Sequence, residues 1–470
     1  MLKLRRMKKN YTHAEVLDMV RKHELSLHKE LKLEAYYKGQ NHTINHIVKA
    51  DGKSNHKVSH PFCHQLVSTL VGYFASEPVQ FDIDNEQVKQ QLDDFMKYND
   101  FDRVFTKVIT DACIYGVGTL TTFIDQKGLV RFASVDPKEL IVIVNNDVLE
   151  DIHTVIRHWQ CENNDGEIVR YVEIYDSEKV RKFYMNEEEI FNAVEEQHYF
   201  GDVPFSLFYA NAEQMGIFER IIPLVDAYDL LESETLNLVS DLADAILLIA
   251  GVELDEDVIR QVNQMRLLNV SDTNENAVDV RFITKDAPSH EETKQRIADD
   301  IFSLAMIPNL NGEKFGEALS GTALKLRMAS MEFLAGVLEG YTKLGLRRLV
   351  ELWANVGQLL GGVSTDEIIK NLSIRMTRNT VSNEAEEIQN ALQLSTLISK
   401  ETVLGLLQSF IPNVEVELER LNTEREENIS FMQDNFNAHN PQYADEDEDM
   451  QEEPQKDEEI EDKEQDKEDE

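Results

Sequence analysis

The sequence predicts a mainly helical α+β fold, and three observations support this class. First, apolar residues recur three or four positions apart over one very long stretch, 320–360, which is the period of an α-helix. Second, several short segments between residues 120 and 185 alternate apolar and polar residues, as half-buried β-strands do. Third, helical patterns lie before and after the strand region, so helices and strands are segregated along the chain.

The N-terminal region is predicted to be helical. Helical patterns cover 11–37, 62–74, 88–96 and 101–115, and glycines follow two of them. A His-rich connector lies between the first two. Its residues His56, His60 and His64 have the four-residue spacing of metal ligands on a helix, but Pro61 interrupts that helix. We therefore interpret these histidines as solvated or capping residues.

The strand region consists of six alternating runs: 120–124, 129–135, 140–144, 152–159, 168–175 and 180–185. Residues 163–166, Asn-Asn-Asp-Gly, have the composition of a hairpin turn between two of these runs. The pattern predicts a small antiparallel meander. The following residues, 204–216, have the composition of a loop.

A second long helix is predicted from Pro223 to about residue 249. One side of it is apolar, and another side carries Asp226, Asp229 and Asp244. A solvated face is the simplest interpretation of these acids. After it comes a small insert with a helical piece at 257–267, an extended run at 278–283 and a helix at 289–306.

The stretch 309–321 precedes the longest helical pattern. It contains Gly312, Gly316 and Gly321, which give the backbone conformational freedom, and Ser320 suits the N-cap of the next helix. An alternative to one long helix is a kinked pair of helices that meet at Gly336 or Gly340. Lys314 beside Phe315 is the isolated basic and aromatic pair in this stretch; an ordinary surface lysine is the alternative.

The C-terminal region is predicted to contain a strand at 372–376 and further helices between 381 and 431. Residues 442–470 include 17 acidic residues and three lysines. Such a segment buries too little apolar surface to fold, so we predict a disordered tail.

Composition excludes several classes of protein. The net charge of −41 argues against a protein that grips nucleic acid through a basic patch. The three cysteines lie far apart, which favours a reducing, cytoplasmic setting, and no apolar run reaches the length of a membrane helix. Phosphate-binding loops and hydrolase motifs are missing from the sequence, so we predict no enzymatic activity.

Four segments of the sequence form an ordered set: YYKGQNHTI at 36–44, the run 55–81 that ends in EPVQF, ALSGTALKLRMASME at 318–332, and 398–424. In this order they resemble the portal proteins of tailed bacteriophages, in the branch found in siphophages of Gram-positive bacteria. The stretch IPNV at 411–414 departs from the pattern, because members of the family often carry acidic residues there. The resemblance covers about residues 30–435.

The resemblance implies a portal fold and a ring, typically a dodecamer, at the unique vertex of the capsid, through which DNA is packaged and ejected. The implied domains are a wing at 1–222, stem helices at 223–252 and 288–308, a clip at 253–287, a tunnel loop at 309–321, a long helix and returning strand at 322–380, a helical crown at 381–436 and the acidic tail at 437–470. Carried over by position, Glu313, Lys314, Phe315 and Glu317 would contact DNA, with Gly312, Gly316 and Gly321 as hinges. Asp226, Asp229 and Asp244 would line the channel.

The implied partners are double-stranded DNA in transit, other copies of the chain, the terminase large subunit, head-completion or adaptor proteins, and the major capsid and scaffolding proteins. No membrane, cofactor, metal or catalytic residue is implied. The implied location is the virion, after assembly in the host cytoplasm. Two alternatives stay open: a scaffold or adaptor that never contacts DNA, and a metal-dependent packaging nuclease, because carboxylates are abundant.

Overall fold

The computed structural model describes residues 1–6, 11–49, 54–148, 150–162, 166–186, 189–243, 246–250, 267–270, 279–283, 290–310, 321–358, 363–379, 384–395, 398–407 and 414–439. The chain divides into two compact units, 1–381 and 382–470. Helices and strands occur in separate groups along the chain, which confirms the α+β class. Within the described ranges, no helix combines the length and apolarity needed to cross a membrane.

The described helices of the first unit are α1 His13–Ser26, α2 His28–Tyr37, α3 His42–Asn45, α4 Phe62–Phe74, α5 Glu86–Tyr98, α6 Phe101–Tyr115, α7 Ile222–Ala243, α8 Glu291–Leu304, α9 Gly321–Gln358 and α10 Thr365–Asn371. Local chemistry sets their ends. The Asn85 side chain accepts hydrogen bonds from the backbone of Gln87 and Val88 and so caps α5. Gly116, with φ of 84°, ends α6 in the left-handed conformation that glycine tolerates best.

The described strands are β1 Leu2–Arg5, β2 Gln80–Asp82, β3 Val117–Ile124, β4 Val130–Val135, β5 Leu140–Val144, β6 Ile152–Glu162, β7 Ile168–Tyr175, β8 Lys179–Met185, β9 Ile190–Gln197, β10 Phe205–Tyr209, β11 Ile246–Ala250, β12 Leu267–Val270, β13 Asp279–Ile283 and β14 Ser373–Arg375. The largest sheet has the order β1-β5-β6-β7-β8-β9. Its part from β5 to β9 is an antiparallel meander, and β1 joins β5 in parallel. The meander prediction is confirmed for the four runs that form β5 to β8, whereas the first two predicted runs, β3 and β4, pair with each other in a separate sheet. Strands β1 and β9 were not expected.

Two smaller sheets position the helices. β3 pairs with β4 and β10, and β14 returns from the end of the chain's first unit to pair with β2. The main core lies between these sheets and helices α4, α6 and α9. Packing is tight where α9 crosses β10, because a Cβ on Gly345 would lie 2.7 Å from the Phe208 ring. Glycine therefore lets α9 approach the sheet closely.

Two sequence predictions in this unit are wrong. The helix predicted to reach residue 249 ends at Ala243, and Ile246–Ala250 is strand β11, between β12 and β13. The run ILLIA fits both periods, and pairing on both sides satisfies its backbone as a strand. The loop predicted at 204–216 contains β10 instead, which pairs with β3 across the register Phe205 to Thr121.

The long helix is continuous from Gly321 to Gln358, which confirms the prediction of one helix and not a kinked pair. The predicted N-cap, Ser320, lies outside the described residues. The second unit contains α11 Glu384–Leu394, α12 Lys400–Leu406 and α13 Val414–His439. Ser399 caps α12 by accepting a hydrogen bond from the backbone of Thr402.

Candidate functional site

The candidate site consists of α7, α8 and α9, the helices that form the predicted stem and that follow the predicted tunnel loop along the chain. All four residues predicted to contact DNA, Glu313, Lys314, Phe315 and Glu317, lie outside the described residues, as do two of the three predicted hinges, Gly312 and Gly316. Gly321 is described as the first residue of α9. The structure therefore shows the flanks of the predicted loop: the segment up to Leu310 and the start of α9.

Helices α7 and α8 pack side by side and run in opposite directions. Lys294, near the start of α8, lies 2.9 Å from the Glu232 carboxylate on α7. At the other end of the pair, the Phe62 ring packs between Tyr228 and Phe302, with ring centroids 5.0 and 6.0 Å away. Two carboxylates, Glu291 and then Glu232, raise the pKa of Lys294 by hydrogen bonding, so this lysine stays charged.

The polar side of α7 binds the connector, which we define as residues 41–49 and 54–60. Its second part runs antiparallel to the helix, and alternate residues bond to successive turns. The backbone N–H groups of Val58 and His56 donate to Ser233 Oγ at 3.0 Å and to Asn237 Oδ1 at 2.5 Å. Ser54 Oγ donates to Ser240 Oγ at 3.1 Å. We call this set of contacts, with those of Asp229 below, the polar clamp.

Asp229 is the most buried member of the polar clamp, with an exposed fraction of 0%. Its carboxylate accepts hydrogen bonds from Asn41 Nδ2 at 2.8 Å and from the His60 backbone at 2.9 Å, and the His60 ring lies 3.0 Å away. All of these partners belong to the same chain. Burial of Asp229 in its own subunit argues against the prediction that its side chain faces a channel.

Asp226, one turn earlier, is partly exposed and also has partners in its own chain. It accepts hydrogen bonds from Tyr36 Oη at 2.5 Å and from Thr43 Oγ1 at 2.9 Å. The pKa of Tyr36 is raised to about 12, mainly by burial and to a smaller extent by the hydrogen bond to Asp226. The phenol therefore remains a hydrogen-bond donor at neutral pH. Asp244, the third predicted channel residue, lies outside the described residues.

The polar clamp was missed by the sequence reasoning. A signal was present: polar residues at 226, 229, 233, 237 and 240 recur three or four apart, and a polar connector of matching length lies elsewhere in the chain. Such a stripe is also typical of a solvated helix face, so spacing alone does not identify its partner. His60 contacts a carboxylate, and no cluster of three metal-ligating side chains occurs among the described residues.

Helix α9 is fixed to the body along its second half. Leu346, Leu349, Val350 and Leu352 are fully buried. The guanidinium of Arg348 lies 2.8 Å from the Asp202 carboxylate and donates to the Val203 carbonyl at 3.1 Å. The described residues of the first half are more exposed; this half is held by the bond from Tyr73 to Glu332 and the ion pair of Arg378 with Glu339. The helix thus carries the predicted loop on its less buried end.

The chain is similar in sequence to known proteins over most of its length. The family described as phage portal protein, SPP1 Gp6-like, matches residues 19–430. A portal protein of Bacillus phage SPP1 is 24% identical over 396 residues, which cover 80% of this chain and 77% of that protein. A portal protein of Clostridium phage phiCD119 is 23% identical over 406 residues, covering 80% and 88%.

Among solved structures, a chain from the "Neck of empty GTA particle computed with C6 symmetry" has a TM-score of 0.44 and 13% identity, and the match covers 74% of this chain and 90% of that one. The family match extends over most of the sequence and defines the class as a structural phage protein, not an enzyme. The chain belongs to the phage portal protein family, SPP1 Gp6-like. The resemblance recognised from the four sequence segments is confirmed.

Proposed function

We propose that copies of this chain form a ring at the unique capsid vertex, and that DNA passes through the ring during packaging and ejection. The observation that carries the proposal is the family match over residues 19–430. The order of elements supports it, because the predicted tunnel loop, 309–321, lies along the chain between α8 and the long α9. The subunit number is expected to be that of the family's usual dodecamer.

The chemistry of the chain suits a conduit that does not hold DNA. A chain with net charge −41 repels phosphate and therefore offers DNA no deep binding well. Since Asp229 is buried, we assign the contact with DNA to residues 309–321. In that segment Lys314 and Phe315, flanked by Glu313 and Glu317, would touch the DNA backbone transiently. The three glycines let the segment move: Gly312, Gly316 and Gly321.

We assign the remaining elements to portal domains in the same way. The meander and the helices packed on it form the wing, α7 and α8 form the stem, and the second unit forms the crown inside the head. We extend the clip, predicted at 253–287, back to Ile246, because β11 forms one sheet with β12 and β13. The clip docks the terminase large subunit during packaging and head-completion proteins afterwards. The acidic tail offers a site for a basic partner such as a scaffolding protein.

Negative-stain electron microscopy of the purified chain tests the proposal. We expect rings with a central hole wide enough for a DNA duplex. A monomer or a small closed oligomer without a channel would instead favour a scaffold or adaptor that never meets DNA.

A further inference from the structure

An exposed apolar stripe runs along the first half of α9. Leu326, Phe333, Val337 and Leu344 have exposed fractions of 74%, 69%, 50% and 62%. With Ser330 and Gly340 between them, their spacing alternates four and three residues, which is the heptad spacing of a coiled-coil seam. The seam, as we call these six residues, is about 27 Å long at ~1.5 Å per residue.

The seam is separate from the face that α9 buries in its own subunit. Met331, Ala335 and Leu338 are at most 2% exposed and belong to the main core. In the seam, by contrast, an added Cβ at Gly340 would meet no atom within 4 Å. A large aromatic ring such as Phe333 in a contiguous exposed stripe is typical of an interaction surface and not of an ordinary solvated helix.

Charge indicates what covers the seam. Lys325, Lys343 and Arg347 lie on one flank of it, together with the two acids of this stretch, Glu332 and Glu339. Both acids bind Arg378, and Glu339 also binds Lys343, so the charges of Lys325 and Arg347 remain in excess on this flank. The seam therefore has a basic margin on a chain of net charge −41. A second copy of the same chain offers the complementary charge.

Helix α8 provides a matching surface. Its exposed acids are Glu291, Glu292, Asp299 and Asp300, and Arg296 is its one exposed basic residue. Lys294, the other basic residue of the helix, binds Glu232 of α7 and Glu291. At its C-terminal end, Leu304, Met306 and Leu310 are 67%, 39% and 42% exposed. This surface is acidic along the helix and apolar at its C-terminal end, Leu304 to Leu310, which we call the exit of α8. It is therefore complementary to an apolar seam with a basic margin.

We propose that the seam of one copy packs against the outer side of α8 and its exit, Leu304 to Leu310, in the neighbouring copy. Two different patches that fit each other give a head-to-tail contact, the type that closes into rings. Helices with a 4-3 seam pack at a shallow crossing angle, so α8 would lie nearly along α9. This inference rests on the ring proposed above and assigns two of its contact surfaces.

Assembly of seam variants is the first test. Phe333→Asp and Val337→Asp place a charge in the contact while leaving the buried face of α9 intact, so thermal unfolding should match that of the unmodified chain. We expect about tenfold fewer rings at equal protein concentration, which is the effect of removing a central apolar anchor. The matched control is Leu25→Asp on α1, where the leucine is 80% exposed and lies outside the seam. Equal ring loss in this control would overturn the assignment to the seam.

Disulfide cross-linking tests the partner surface. In a Cys161→Ser background, Leu304→Cys is combined with Phe333→Cys, Val337→Cys or Leu344→Cys, since the other two cysteines are buried. A head-to-tail contact gives a ladder of cross-linked multimers on oxidation of at least one double variant. A mixture of the two single variants gives dimers alone.

The experiments distinguish failure of the seam contact from failure of the proposed ring. An unmodified chain without rings contradicts the proposed function and the seam contact together. Rings that persist in both aspartate variants contradict the seam contact alone. If the aspartate variants lose their rings but none of the double variants with Leu304→Cys forms a cross-link, the seam is a contact surface and α8 is not its partner.

Discussion

Replacing Asp229 by alanine tests whether this carboxylate is part of the polar clamp or part of a channel. In the structure it has no exposed surface and satisfies Asn41 Nδ2, the His60 backbone N–H and the His60 ring. Asp229→Ala leaves these donors without an acceptor. Each unsatisfied buried donor costs about 1–3 kcal/mol, partly offset because the carboxylate no longer has to be desolvated. We expect a net loss of roughly 3 kcal/mol in the free energy of unfolding.

Urea denaturation followed by tryptophan fluorescence measures this loss, since Trp159 and Trp353 both lie in the first unit. With a slope of roughly 3 kcal/mol per molar urea, the midpoint should fall by about 1 M. Asp229→Asn keeps one acceptor oxygen, so its urea midpoint should fall by less than that of Asp229→Ala. The matched control, Glu234→Ala, removes an exposed partner of Lys49 on the same helix and should cost under ~1 kcal/mol. If Asp229→Ala and Glu234→Ala had the same midpoint, the burial argument would be refuted.

Three further predictions concern other parts of the chain. Lys314→Ala should change packaging efficiency or DNA retention, measured as DNA content per head, while rings still assemble. Gly345→Ala places a Cβ 2.7 Å from the Phe208 ring and should destabilise the first unit by about 1–3 kcal/mol, measured by urea denaturation. Lowering the pH from 7 to 5 should cost about 4 kcal/mol, measured likewise, because burial lowers the pKa of His23 to about 3 and of His158 to about 4.

The sign of the pH effect follows from the two protonation states. Both rings are neutral in the folded chain, and they bind protons on unfolding once the pH is below ~6.5. Stability is therefore complete above that pH and is lost as the pH falls towards 4 and then 3. A His23→Gln/His158→Gln variant should lose this dependence on pH; a slope equal to that of the unmodified chain would contradict the assignment.

The other two predictions have equally direct controls. Gly336→Ala adds a methyl group where no atom lies within 4 Å, so it should stabilise α9 by up to ~1 kcal/mol. If Gly336→Ala destabilised the first unit as much as Gly345→Ala, the contact with Phe208 would not explain the lower stability of the Gly345 variant. For Lys314→Ala, Lys97→Ala removes an exposed lysine of α5, outside the seam, and so controls for loss of charge alone. Normal phage yield and normal DNA retention in Lys314→Ala would remove that lysine from the proposed DNA contact.

The sequence predicts elements well where one period dominates. Residues 62–74 and 101–115 form helices with the predicted bounds, because each carries an uninterrupted apolar face and ends at a clear boundary. Residues 246–250 were predicted as helix because five consecutive apolar residues fit either period. Their conformation is decided by β12 and β13, which lie 17 or more positions further along the chain.

The candidate site was harder to predict for the same physical reason. Asp226 and Asp229 were correctly placed together on one side of a helix, but their partners lie about 190 positions away in the sequence. No local pattern specifies such a pairing. The long helix needed no distant information, because its spacing is regular from end to end.

The polar clamp also bears on the order in which the chain folds during synthesis. Asn41 is separated from Asp229 by 188 positions, so the connector is made long before the helix that binds it. Until α7 has left the ribosome, the backbone donors of His56, Val58 and His60 have only water as partners. Closing so large a loop is slow, so we expect the connector to pack on α7 late in folding. A nascent chain would thus acquire its meander before it acquires a surface that recognises another copy.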